Sequence, residues 1–187
     1  MSYYGAKELA AAFRTVRENT IKIAEDIPEN QYDYRPAPDT RSVREMFAHI
    51  GASTMFQSIV HGTGVTDMMT LNFQELFQKF SAEESKPRTK AETIAYLKEE
   101  GDKFAKFLDG VSESQLAERV TMRPGPDGQV PSKSRFEMLL SAKEHEMHHR
   151  GQLMTYQRLL GQVPHLTKLM QQRAAAMQAA AQQQAQS

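Results

Sequence analysis

Apolar residues recur at helical spacing in four long stretches of this chain. Between residues 6 and 25 they fall at Leu9, Phe13, Val16, Ile21 and Ala24, which predicts an amphipathic helix. "SVREMFAHIGASTMFQSIVHG" predicts a second, with Val43, Met46, Phe47, Ile50 and Phe56 on its apolar stripe. Ser42 and Glu45 open it as an S-x-x-E capping box, and Gly62 and Gly64 end it. A third lies in "TKAETIAYLKEEGDKFAKFLDG", capped by Thr89 and Glu92 and stopped at Gly110. The fourth begins near Ser132 or Ser134, runs through "RFEMLLSAKEHEMHHRGQLMTYQRLL" and ends at Gly161 and Pro164.

The segments between them read as connectors. "IPENQYDYRPAPDT" carries Pro28, Pro36 and Pro38. Residues 65–88 form a long crossover with a short helix at "NFQELFQKF", and 111–131 form a loop whose "RPGPDGQVP" excludes regular structure. No strand-like alternation of useful length is visible. The expected architecture is an all-α four-helix bundle, and the long second connection permits helices two and three to lie parallel. The expected domain spans 1–165. Residues 166–187 are an Ala/Gln-rich tail, either a projecting helix or a frayed terminus, with no function assigned.

Composition narrows the function classes. The chain has 187 residues, which suits one domain, and is 40% hydrophobic and 25% charged. Its 23 Lys and Arg balance 23 Asp and Glu, giving net charge zero and no bulk attraction to polyanions. The expectation is a small-molecule substrate, no nucleic-acid partner and no membrane. Cysteine is absent, so disulfides, thiolate nucleophiles and thiolate ligands are excluded. The N-terminal run lacks a basic-then-apolar leader, and no apolar run approaches ~20 residues, so a cytoplasmic location is expected.

Chemistry concentrates in "KEHEMHHRGQL", residues 143–153, which holds three of the six histidines. Each helical residue turns about 100°, so His145 and His149 project side by side, within about 40°. Two imidazoles so spaced can share one divalent cation; the pair His145/His148 remains open. The strip Met138, Ala142, His145, His149, Gln152, Tyr156 runs beside the core stripe, so the pair borders the interior. Burying it needs a metal or a hydrogen-bond network in compensation. His49, mid-helix near Met46, Ile50 and Ser53, is the best third ligand. Three histidines with open positions are the donor set of a catalytic site. His61 reads as a helix-end or surface residue, His165 as loop and His148 as exposed or as a support behind the ligands. The run also contains HExxH, but the zinc-peptidase reading is disfavoured. The extended motif fails at Thr155, and Glu146, read as solvated, is the last Glu in the chain.

Three features together resemble the DinB-like (DinB/YfiT) family: "IPENQYDYRPAPDTRSVREMFAHI", "EHEMHHRGQLMTYQRLLG" and the bundle plan with its long second crossover. The resemblance implies an up-down-down-up bundle, often a homodimer. It also implies a divalent metal, zinc or nickel, held at positions matching His49, His145 and His149. Family members of known chemistry include thiol S-transferases using low-molecular-weight thiols such as bacillithiol, and mycothiol-dependent isomerases; many others are described only as metal-dependent hydrolases. The expected function is therefore a metal-dependent thiol transferase or hydrolase; Gln152, Tyr156 and Arg150, near the site by helical spacing, either orient substrate or serve as ordinary helix surface and bundle packing. The alternative is a non-catalytic dimeric bundle with a structural or vestigial metal site.

Overall fold

The computed structural model describes residues 4–184. Its frame is four long helices: α1 (Ala6–Asp26), α2 (Val43–Gly62), α4 (Lys90–Asp109) and α6 (Arg135–Leu159). Between and after them lie α3 (Phe73–Glu84), α5 (Glu113–Ala117) and α7 (His165–Gln184), with strands β1 (Arg119–Thr121) and β2 (Ser132–Ser134). Ser42, Thr89 and Ser134 each accept from the backbone three residues on, while Glu45, Glu92 and Glu137 reach back to complete capping boxes. Each such cap is worth about 1 kcal/mol. Gly64 and Gly161, at φ 69° and 76°, take the chain out of α2 and α6.

Cross-helix contacts fix the direction of each helix. Arg14 pairs with Asp109 at one end of α1/α4, and Lys90 donates to the carbonyls of Glu25 and Ile27 at the other, so these helices are antiparallel. Arg44 reaches the Arg88 carbonyl and Gly51 abuts Tyr96, so α2 and α4 run parallel. Arg135 meets His61 while Tyr156 meets Arg41, so α2 and α6 are antiparallel. The order is therefore up-down-down-up.

Two apolar clusters fill the bundle. One gathers Leu9, Phe13, Phe104, Leu108 and Leu139; the other gathers Ile23, Tyr32, Phe47, Ile50, Leu97 and Leu153. Each such side chain contributes about 1.5–3 kcal/mol on burial. Between them Arg17, Thr54 and Glu146 form a buried polar layer. A third cluster, Val60, Met68, Leu76, Val120 and Met138, packs the crossover onto α2 and α6.

The crossover and the later loop are more ordered than their sequences suggest. α3 extends through Glu84, beyond the expected "NFQELFQKF". The segment 111–131 contains α5 and β1, and β1 pairs antiparallel with β2, Val120 opposite Lys133. Strands of three residues are too short for alternation to register. "RPGPDGQVP" is irregular, as expected. His165 is not loop: it begins α7, and its Nε2 lies 2.9 Å from Asn19 Oδ1. Beyond Thr167, α7 is exposed. Among the described residues no helix is long and apolar enough to cross a membrane.

Candidate metal centre

Antiparallel packing of α2 on α6 brings His49 against two successive turns of α6. Ring centroids lie 4.9 Å apart for His49–His145, 4.7 Å for His49–His149 and 4.4 Å for His145–His149. His145 Nε2 is 3.0 Å from His49 Nε2 and 3.1 Å from His149 Nε2. The His49 side chain is 12% exposed and His149 is 8% exposed.

The outer nitrogens are tied. His49 Nδ1 meets Glu84 Oε1 at 2.5 Å, and His149 Nδ1 meets Gln152 Oε1 at 2.8 Å. Both partners are acceptors, so the proton of each ring belongs on Nδ1 and Nε2 presents its lone pair. His145 Nε2 therefore faces two lone pairs. A neutral imidazole nitrogen has one in-plane position, so one N–H can satisfy only one of these contacts. His145 Nδ1 is buried without a partner. Hydrogen bonding alone leaves this cluster unsatisfied. A cation at the junction would satisfy all three nitrogens: donors ~2.1 Å from one ion stand about 3.0 Å apart at a right angle and about 3.4 Å apart at the tetrahedral angle. The donor set fits a divalent metal.

Electrostatics keep these rings in the form a metal needs. Burial lowers the pKa of His49 to about 4, with Arg41 and His149 adding to it. Burial, then His149 and His49, lowers that of His145 to about 4. Burial also lowers His149, against the opposing bond to Gln152. Burial raises Glu84, with Arg41 opposing. At neutral pH the three imidazoles are neutral Lewis bases.

The other candidate residues sort differently from the expectation. Glu146, expected in solvent, is 1% exposed and turned away from the histidines onto Arg17. It is not placed as the base of an HExxH peptidase. His61 is not a surface residue: it is 4% exposed, with Nδ1 3.2 Å from Arg135 Nη1 and Nε2 3.1 Å from Gln57 Oε1. His148 is exposed, its ring edge-on to His149. Gln152 anchors a histidine, Tyr156 donates its hydroxyl to the Arg41 carbonyl, and Arg150 lies near enough to His165 to help lower its pKa, after burial. Glu84 went unseen in the sequence, because nothing local announces a contact 35 residues away. A cavity of about 330 Å³ opens beside His49 and His145, walled by Phe56, Phe77 and Phe80.

Bundle topology and histidine cluster meet in a known group: residues 12–153 match the DinB superfamily, and the chain belongs to it. It is 24% identical over 157 residues to YjoA of Bacillus subtilis (strain 168), covering 83% of this chain and 91% of YjoA. The crystal structure of YjoA, at 25% identity, superposes with a TM-score of 0.62, covering 83% of this chain and 93% of that one. YfiT from Bacillus subtilis, described as "a probable metal-dependent hydrolase with an unusual four-helix bundle topology", superposes at TM-score 0.64 and 16% identity, covering 87% and 91% of the two chains. The colibactin self-resistance protein ClbS, crystallised in complex with dsDNA, superposes at TM-score 0.62 and 16% identity, covering 84% and 98%.

ClbS corrects the expectation of no nucleic-acid partner, because DNA binding does occur on this fold. Net charge is a sum over the chain and does not describe where charges lie, so a balanced total is no ground for exclusion.

Proposed function

We propose that this protein is a metal-dependent enzyme whose divalent cation, zinc or nickel, is held by His49, His145 and His149 and which carries out thiol transfer or hydrolysis. The observation that carries the reading is the meeting of three Nε2 atoms, 3.0 and 3.1 Å apart across His145, with the outer Nδ1 positions of His49 and His149 tied to Glu84 and Gln152. The description of YfiT as metal-dependent supports it by kinship of fold.

When bound, the cation supplies Lewis acidity, which makes a thiol or water nucleophilic near neutral pH. The chain supplies the rest. The three Nε2 atoms hold the ion, and Glu84 and Gln152 keep His49 and His149 in the Nδ1-protonated tautomer. Phe56 and Phe80 give one side of the histidine cluster an apolar wall. With no cysteine in the chain, the nucleophile of a thiol transfer comes from a small-molecule thiol. An open cavity bordering two of the ligands favours catalysis over a purely structural metal, which would have a closed shell.

The test is elemental analysis of tag-free protein, wild type against His49→Ala and His145→Ala, followed by thiol-transfer and ester-hydrolysis assays on the loaded protein. One divalent ion per chain, lost in both variants together with activity, is the expected result. Wild-type metal content in both variants would refute the ligand assignment, and a loaded protein inactive in both assays would refute the enzyme reading.

A further inference from the structure

The cavity beside the histidines has a composition of its own. It is lined by His49, Ser53, Phe56, Gln57, Phe77, Phe80, Ser141, Ala142 and His145, with no Lys, Arg, Asp or Glu among them. Three of its polar atoms are already engaged. Ser53 Oγ donates to the Ile50 carbonyl at 2.8 Å and Ser141 Oγ to the Met138 carbonyl at 2.5 Å. Gln57 Oε1 is held by His61 Nε2 at 3.1 Å. An incoming charged group would lose its hydration here and find no charged side chain along these walls.

The walls are aromatic and geometrically continuous. Phe80 stands edge-on to His49 (centroids 5.6 Å, 87°) and to Phe56 (6.2 Å, 81°). Phe77 lies tilted against Phe56 at 6.3 Å and is 58% exposed, a large apolar side chain left uncovered at the rim. The volume, about 330 Å³, is roughly twice the ~150 Å³ that takes up benzene in an engineered protein cavity. A second cavity, beyond Glu84, is lined instead by Arg35, Asp39, Arg41 and Glu45, so charged ligand groups have a different place to go.

We propose that the aromatic-walled cavity is the substrate pocket of the histidine centre and takes an uncharged aromatic group of one or two fused rings, carrying the reactive atom toward His49 and His145. This rests on the proposed metal-dependent function and adds the substrate class. The ring covers Phe77 and packs against Phe56 and Phe80, in the offset or edge-on geometries that aromatic pairs adopt. A charged substituent placed against these walls, away from the histidines, finds no charged side chain to pair with.

Calorimetric titration of the protein as purified with 2-naphthol, against naphthalene-2-sulfonate, tests it. The two share one ring system and differ in charge. Wild type is expected to bind one 2-naphthol per chain and the sulfonate at least tenfold more weakly. Ser53→Phe, which fills the cavity from one turn beyond His49, is expected to weaken 2-naphthol at least tenfold, and Phe77→Ala, at an exposed site on the rim, severalfold. Equal affinity for the two probes, or unchanged 2-naphthol binding in Phe77→Ala and in a folded Ser53→Phe, would overturn the proposal. Should Ser53→Phe not fold, Phe77→Ala decides alone. Metal content read on the same samples separates the two ideas. A metal-free chain that binds 2-naphthol in this pattern sinks the metal-dependent reading but upholds the aromatic pocket. A loaded chain that binds none does the reverse.

Discussion

Glu146 accepts from Arg17 through both carboxylate oxygens, Oε1 from Nε at 2.9 Å and Oε2 from Nη2 at 3.0 Å. Arg17 also donates through Nη1 to the Leu97 carbonyl at 2.5 Å, and its Nη2 lies 3.4 Å from Thr54 Oγ1. One guanidinium thus ties α1, α2, α4 and α6 at the level of the polar layer. Glu146 is the residue after His145, so the bond that draws it inward also sets the rotation of α6 about its axis. That rotation aims His145 and His149 at α2. The Glu of the HExxH run is a frame residue, and the histidines beside it form the candidate site.

Glu146→Gln should therefore lower stability while leaving metal stoichiometry intact. Removing one partner of a buried ion pair costs about 3–5 kcal/mol, because the remaining charge stays buried. Denaturant unfolding reads the loss, and elemental analysis of the folded fraction should still give one ion per chain. Unchanged stability with lost peptide hydrolysis would instead support the peptidase.

Glu84→Ala should weaken metal binding without abolishing it. A carboxylate behind a ligating histidine holds its tautomer and orientation, and its loss typically lowers affinity about 10–100-fold. Competition with a chromogenic chelator measures the change. Wild-type affinity in the variant would remove Glu84 from the site.

His61 should make stability depend on pH. Burial, with Arg135 adding to it, lowers its pKa to about 4, against about 6.5 in the unfolded chain. Between those values the unfolded chain holds a proton that the folded one refuses. Stability is full above about pH 6.5 and falls as pH drops toward 4. The shift corresponds to about 3 kcal/mol at most. The drop in Tm between pH 7 and pH 4.5 should be smaller in His61→Gln than in wild type. An equal drop would exclude His61 as its source.

Gly51→Ala should destabilise the α2/α4 contact. A Cβ at Gly51 would collide with the Tyr96 ring, which packs directly on the backbone there. Overpacking of this kind costs about 1–3 kcal/mol. Trimming the ring in Gly51→Ala/Tyr96→Leu should return part of it, and a thermal melt of the double variant against each single one reads the coupling. Additive losses would mean that the clash is relieved elsewhere.

The frame was readable because its signals are local. Ser42/Glu45, Thr89/Glu92, Gly64 and Gly161 mark helix ends within a few residues of themselves. The side-by-side placement of His145 and His149 follows from helical pitch alone, and His49 was singled out by its position near the apolar stripe of α2. The rest depended on distant partners. Glu146 looked solvated because Arg17 is 129 positions away, and His61, in the last turn of α2 as expected, gave no sign of its burial because Arg135 is 74 away. Glu84 was hidden in a crossover whose helix runs further than its apolar pattern.

That crossover has a consequence for how such a protein can change. α3 contributes Phe77 and Phe80 to the cavity and carries Glu84 at its end, yet of its residues only Leu76 is buried. Its role in the bundle is to span the distance that lets α2 and α4 lie parallel, a task many sequences can perform. The wall of the pocket is thus written on a segment to which the core is nearly indifferent. Pocket shape and bundle stability can drift independently, and a new specificity can arise on an unaltered scaffold.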